Sequence, residues 1–207
     1  MNLKALLTTC LLLNGQAFLD TCCAQDVRYS LAAYAPNTRT KLTSVKVDQT
    51  FDVAVIVQDL RPNETYRALV MSRGRLVYAD FPKPRGVFSA YVNLAFDEYT
   101  ANLQAIKFTS PIYVNGRHKS VVPHGVNELG AFAGSSPVGK SAYEVCRISL
   151  WALQEGELVI TPNVDGLENH PAYKTLLYGV PGVDYRQYPT AVPIDRIVCL
   201  PLKVVIE

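Results

Sequence analysis

Gly86-Val87-Phe88-Ser89-Ala90-Tyr91-Val92-Asn93-Leu94-Ala95-Phe96-Asp97 decides the class of this chain. Phe88, Ala90, Val92, Leu94 and Phe96 are all apolar, while Ser89, Tyr91, Asn93 and Asp97 occupy the other parity. Side chains alternate faces along a strand, so the run predicts a half-buried β-strand with one dry and one wet face. Further strand signals flank it. Phe51-Asp52-Val53-Ala54-Val55-Ile56-Val57 is β-branched on one face, and 29–34, 76–79, 106–108, 112–114, 146–153, 158–161 and 194–206 complete the set. Pro, Gly and Asn punctuate them. Helical periodicity is nearly absent: 171–177 holds at most one or two turns, and 127–133 fits neither pattern. Many short strands with no βαβ rhythm predict an all-β fold, an antiparallel β-sandwich.

The amino-terminal 24 residues read as an export signal. Lys4 precedes an apolar core too short to span a bilayer, and small residues follow. Cleavage after Ala17 or Ala24 fits the small-x-small rule, Ala24 the better because Phe18 and Leu19 extend the apolar core. The mature chain, 25–207, then forms one domain with no later transmembrane segment, which implies a secreted or cell-surface protein. The net charge of +2 offers no basic stripe for nucleic acid. Cys146 and Cys199 remain after cleavage. Export favours a disulfide between them, but their strand parities point the two thiols in different directions, so both states stay open.

Two stretches carry a family resemblance. Val45-Lys46-Val47-Asp48-Gln49-Thr50-Phe51 running on to Val57 is similar to the opening strand–turn–strand of the cohesin modules of bacterial exoproteins. The 86–97 run followed by Leu103-Gln104-Ala105-Ile106 resembles their segment in which an aromatic-Asp pair ends a strand, and 198–206 resembles their last strand. The related carbohydrate-binding modules share this jelly-roll sandwich. The resemblance implies a non-enzymatic recognition module whose partner is a dockerin-like protein or a polysaccharide. Residues 61–85, with three prolines and six basic residues, depart from that pattern and read as an insertion or long loop, as does 112–140. Fold alone does not carry function over.

Chemistry-bearing motifs are weak. Gly134-Ser135-Ser136-Pro137-Val138-Gly139-Lys140-Ser141 matches the phosphate-binding pattern G-x-x-x-x-G-K-[ST], yet strand-like alternation follows where a helix is required. Thr161-Pro162-Asn163-Val164-Asp165-Gly166 has the oxygen spacing of a calcium loop without its closing Glu, since Ala172 stands there. His118, His124 and Glu128 lack zinc-ligand spacing, no G-x-S-x-G elbow is present, and Asp97-Glu98 are adjacent rather than opposed. No catalytic residue, cofactor or metal is therefore expected. The outward parity suggests a recognition surface instead: Tyr91 and Asn93 on one strand, Tyr143, Arg147 and Trp151 on another, residue types that anchor interfaces. A structural envelope or matrix role is the alternative function, followed by nucleotide binding at 134–141.

Overall fold

The computed structural model describes residues 25–83, 85–134, 141–167, 170, 172–178 and 189–207. The segment expected to be an export signal and most of the 134–141 motif lie outside them. In chain order the strands are β1 (Val27–Tyr34), β2 (Ser44–Val45), β3 (Thr50–Asp59), β4 (Thr65–Ser72), β5 (Arg75–Pro82), β6 (Val87–Ala95), β7 (Ala101–Lys107), β8 (Tyr113–Arg117) and β9 (Ser120–Val122). There follow β10 (Gly125–Ala133), β11 (Tyr143–Ala152), β12 (Gly156–Asn163), β13 (Leu176–Leu177), β14 (Thr190–Ala191), β15 (Ile197–Cys199) and β16 (Leu202–Ile206), with a 3₁₀ turn at Ile194–Arg196.

Alternating apolar side chains sort all of these strands but β4 and β5 into two sheets with a shared core. The first has the order β15-β1-β3-β11-β7. The second runs β14-β13-β6-β12-β16-β2, with β10 on the free side of β6 and β8 and β9 on β10. Tyr29, Phe51, Val53, Ile148 and Leu150 from the first sheet meet Val92, Leu94, Leu129, Leu158, Ile160 and Val204 from the second in a single buried cluster. The sandwich expectation holds, with one amendment: β1–β15 and β2–β16 pair in parallel, so the sheets are mixed.

Three local expectations are corrected. The 194–206 run is two strands, because Leu200-Pro201 lets the chain leave the first sheet and enter the second. Proline lacks the N–H a ladder needs, and the crossover is where none is required. The 61–85 insertion is a two-stranded ribbon, not a loop: β4 pairs with β5 from Thr65↔Pro82 to Ser72↔Arg75. Its turn residues Arg73 and Gly74 both have positive φ, 49° and 77°, the conformation of a two-residue hairpin turn matching strand twist. The 112–140 loop instead holds β8, β9 and β10, and β10, which takes in 127–133, packs its Gly130 so close to β6 that an added Cβ would sit 2.0 Å from the Ala90 carbonyl oxygen.

The ribbon is rooted by a buried ion cluster. The Asp59 carboxylate accepts from Arg61 Nε (3.1 Å) and Nη2 (2.7 Å), Arg85 Nη2 (2.9 Å) and the Gly86 backbone N–H (2.9 Å). Arg61 also donates to the Tyr178 carbonyl (2.5 Å), and Arg85 donates to the Arg61 carbonyl. Desolvation alone would raise the Asp59 pKa, but the hydrogen bonds and charge of Arg61, aided by Arg85, outweigh it and hold the carboxyl below its ordinary value.

Candidate functional site

The predicted surface residues divide between the two sheets. Tyr91 and Asn93 are on β6 of the second; Tyr143, Arg147 and Trp151 are on β11 of the first. They do not form one patch.

On β6 the wet-face expectation fails at Tyr91, which is 0% exposed. The far side of β6 is covered by the chain itself: the Tyr173 ring lies 5.0 Å from Tyr91 and that of Phe132 5.5 Å, with Arg117 against Phe132 and Tyr173. Burial pushes the Tyr91 hydroxyl up to about 12. Ser89, on the same parity, is buried and donates to the Lys174 carbonyl (2.8 Å). Asn93 is half-buried and serves the structure. It accepts from the Glu128 N–H (2.8 Å) and donates to Asn163 Oδ1 (3.3 Å) and the Asp165 carbonyl (3.2 Å). Asn163 thus lies in strand β12, and Asp165-Gly166 turns the chain out of it. Phe88, expected in the core, is only half-buried, against Phe132 and Tyr178.

On β11 a bulge decides the outcome. The register with β3 shifts between Glu144 and Cys146, so Tyr143 pairs with core-facing Val57, whereas Arg147, Ser149 and Trp151 pair with Ala54, Asp52 and Thr50. Paired residues share a face, so Tyr143 belongs to the core side and the other three face outward. Trp151, at 38% exposure, opens onto solvent beside Asn102 of β7.

Around Arg147 the outer face of the first sheet holds a polar depression of about 490 Å³, lined among others by Arg39, Asp52, Lys107, Ser110, Glu144 and Arg147. Its groups are fixed in place. Glu144 takes both Nε and Nη2 of Arg147 at 2.8 Å, Nη1 donates to the Thr38 carbonyl (2.6 Å), and the guanidinium lies 4.8 Å over the Tyr34 ring. Beneath it, buried Asp52 accepts from Ser149 Oγ (2.5 Å), the Asn37 N–H (3.0 Å) and Lys107 Nζ (3.2 Å). Burial works to raise the Asp52 pKa, but these hydrogen bonds, Ser149's the largest, bring it below the ordinary value. The Asp52 carboxylate therefore pins both the 35–40 loop and the Lys107 ammonium. Arg39 is exposed on the rim, with no ion pair among the described residues. Sequence reasoning found Arg147 and Trp151 and missed Tyr34, Asn37, Asp52 and Lys107. Asp52 was the available signal, as the one acid within an otherwise apolar strand run.

Other motifs resolve into structure. β10 ends at Ala133 and β11 opens at Tyr143, while residues 135–140 of the phosphate-loop pattern lie outside the described residues. Asp97 caps its own turn, accepting from the Tyr99 N–H (3.0 Å) and Thr100 Oγ1 (2.6 Å). Cys146 and Cys199 are both free. They stand on β11 and β15, three strand spacings or about 14 Å apart, beyond the reach of a disulfide. No helix of the described residues is long and apolar enough to cross a membrane.

No protein-family model matches the sequence, and no curated protein matches it significantly. Solved structures do match. A cohesin module of a Clostridium perfringens family 33 glycoside hydrolase is similar with a TM-score of 0.53 at 12% identity, over 89% of this chain and 98% of that one. The seventh ScaB type I cohesin of Pseudobacteroides cellulosolvens is similar with a TM-score of 0.51 at 8% identity, over 88% and 93%. The fold is cohesin-like. The cohesin-like sandwich spans nearly the whole length of those modules.

Proposed function

We propose that this chain is a secreted, non-enzymatic recognition module that engages a protein partner through the outer face of its five-stranded sheet. The observation that carries the reading is the pre-ordered depression around Arg147: Glu144 and Asp52 hold Arg147 and Lys107 before any partner arrives. Pre-organised charged groups lose little freedom on binding, which favours recognition. Trp151 supplies an apolar anchor on the same face and Arg39 a charge with no ion pair among the described residues, the residue types that dominate interface energetics. The opposite sheet is covered over β6 by Tyr173, which supports use of the first face.

A dockerin-like protein is the partner class implied by the cohesin resemblance. A polysaccharide is the second reading. The depression's lining is mostly charged and polar and holds no Trp, and Trp151 lies farther along the outward face of β11, an arrangement that suits a protein better than a sugar-stacking platform. Trp151 is the chain's only tryptophan, so its fluorescence reports on this face alone. Titration with a purified dockerin-type protein is expected to shift that emission saturably and to shield it from acrylamide. In Arg147→Ala, binding should weaken about tenfold or more, as for truncation of a buried charged anchor. Saturable binding to insoluble glycans instead would select the polysaccharide, and neither response would refute the recognition reading.

A further inference from the structure

The β4–β5 ribbon is a sheet of its own, apart from the two sheets of the sandwich and from the depression around Arg147. No other described strand borders it. Arg67, Leu69 and Met71 of β4 lie on one face with Leu76, Tyr78 and Asp80 of β5. Leu69, Met71, Leu76 and Tyr78 are 51%, 67%, 63% and 66% exposed, a contiguous apolar patch of the kind that marks an interaction site. Charge on the ribbon is one-sided: Arg67, Arg73 and Arg75 against Asp80 alone within 65–82. Arg67 lies 5.3 Å over the Tyr78 ring, while Arg73 and Arg75 at the tip have no ion pair among the described residues.

The register tells which backbone groups are free. Lys83 N–H bonds the Glu64 carbonyl, and the two-residue turn closes on Ser72↔Arg75. Hydrogen-bonded pairs alternate along an antiparallel ladder, so Thr65, Arg67, Leu69 and Met71 direct N–H and C=O away from β5, at the open edge. The β5 edge is poorer, since Pro82 has no N–H and Asp80 repels acids.

We propose that the β4 edge accepts an extended strand of a partner protein in which apolar side chains facing Leu69 and Met71 are flanked by acids facing Arg67 and Arg73. Backbone pairing supplies affinity and the alternate side chains specificity, as in other strand additions. A second copy of this ribbon fits badly, because β4 against β4 brings arginine-rich edges together. A lipid surface fits badly too, because open strand edges do not enter hydrocarbon and the tip is charged.

The test uses the full chain and a fluorescent, end-blocked peptide, Thr-Glu-Thr-Ile-Thr-Ile-Thr-Glu-Thr, with a control in which both Glu are Lys. Anisotropy is expected to show saturable binding of the Glu peptide, at least about tenfold tighter than the Lys peptide, and weakened by salt. Hydrogen exchange at the Arg67, Leu69 and Met71 amides should slow on binding, and that of β11 should not change. In Arg67→Glu/Arg73→Glu the preference should invert toward the Lys peptide, which also verifies that the ribbon still folds. Equal binding of both peptides, or protection elsewhere than β4, overturns the proposal. So does ribbon protection arising from protein concentration alone, or binding to phosphatidylglycerol vesicles that the Glu peptide does not displace.

Discussion

Asp59→Asn is expected to be among the most damaging single substitutions in the chain. The carboxylate is buried and opposes two arginines that are themselves largely buried, with side-chain exposures of 14% for Arg61 and 13% for Arg85. Asparagine keeps the volume and one acceptor but removes the charge, leaving two guanidinium groups uncompensated. Breaking a buried ion pair from one side costs about 3–5 kcal/mol. For a domain of this size each kcal/mol moves the melting temperature by about 2–4 °C, so a fall of roughly 6–20 °C follows. Urea unfolding at pH 7 measures the free energy directly. The pH dependence supplies the internal control. The folded pKa of Asp59 lies below its unfolded value, so its contribution is complete above about pH 4 and is lost as pH falls through the folded pKa. The gap between wild type and Asp59→Asn should therefore close in acid. Replacing both arginines by Met in the Asp59→Asn background should recover part of the loss. A cost below about 1 kcal/mol at pH 7, or a gap that persists in acid, would refute the reasoning.

Phe96→Ala and Tyr91→Ala should each cost about 3–5 kcal/mol in chemical denaturation, because Tyr91 of β6 and Phe96 just after it are both buried. Trp151→Ala, half open to solvent, should cost only about 1–2 kcal/mol in the same assay. Burial pushes the Cys199 thiol up to about 11 and that of Cys146 higher still, so neither should react appreciably with iodoacetamide at pH 8 until denaturant is added.

Much of the sandwich was legible because burial on one face imprints period-two patterning, as in Phe51, Val53, Val55 and Val57. Failures came where tertiary structure intervenes. Tyr91 has the parity of a solvent face, but Tyr173, distant in sequence, covers it. Tyr143 was misassigned by a bulge at Val145, a one-residue insertion that inverts parity and leaves no mark on composition. The ribbon was obscured by its prolines and arginines, although Arg73-Gly74 between Leu69-Val70-Met71 and Leu76-Val77-Tyr78 carries a hairpin signal. Of the proposed recognition face, Arg147 and Trp151 follow from strand alternation alone. The contribution of Asn37 and Thr38 depends on a loop folding over the sheet to reach Asp52 and Arg147, which no local pattern encodes.

The proposed recognition through the outer face of the five-stranded sheet is open to hydrogen–deuterium exchange of the full chain, with and without a saturating dockerin-type protein. Protection should concentrate in 35–40, 102–107 and 147–151, with β6 and β12 unchanged. Protection centred on β6, β10 and β12, with 147–151 unaffected, would contradict the account.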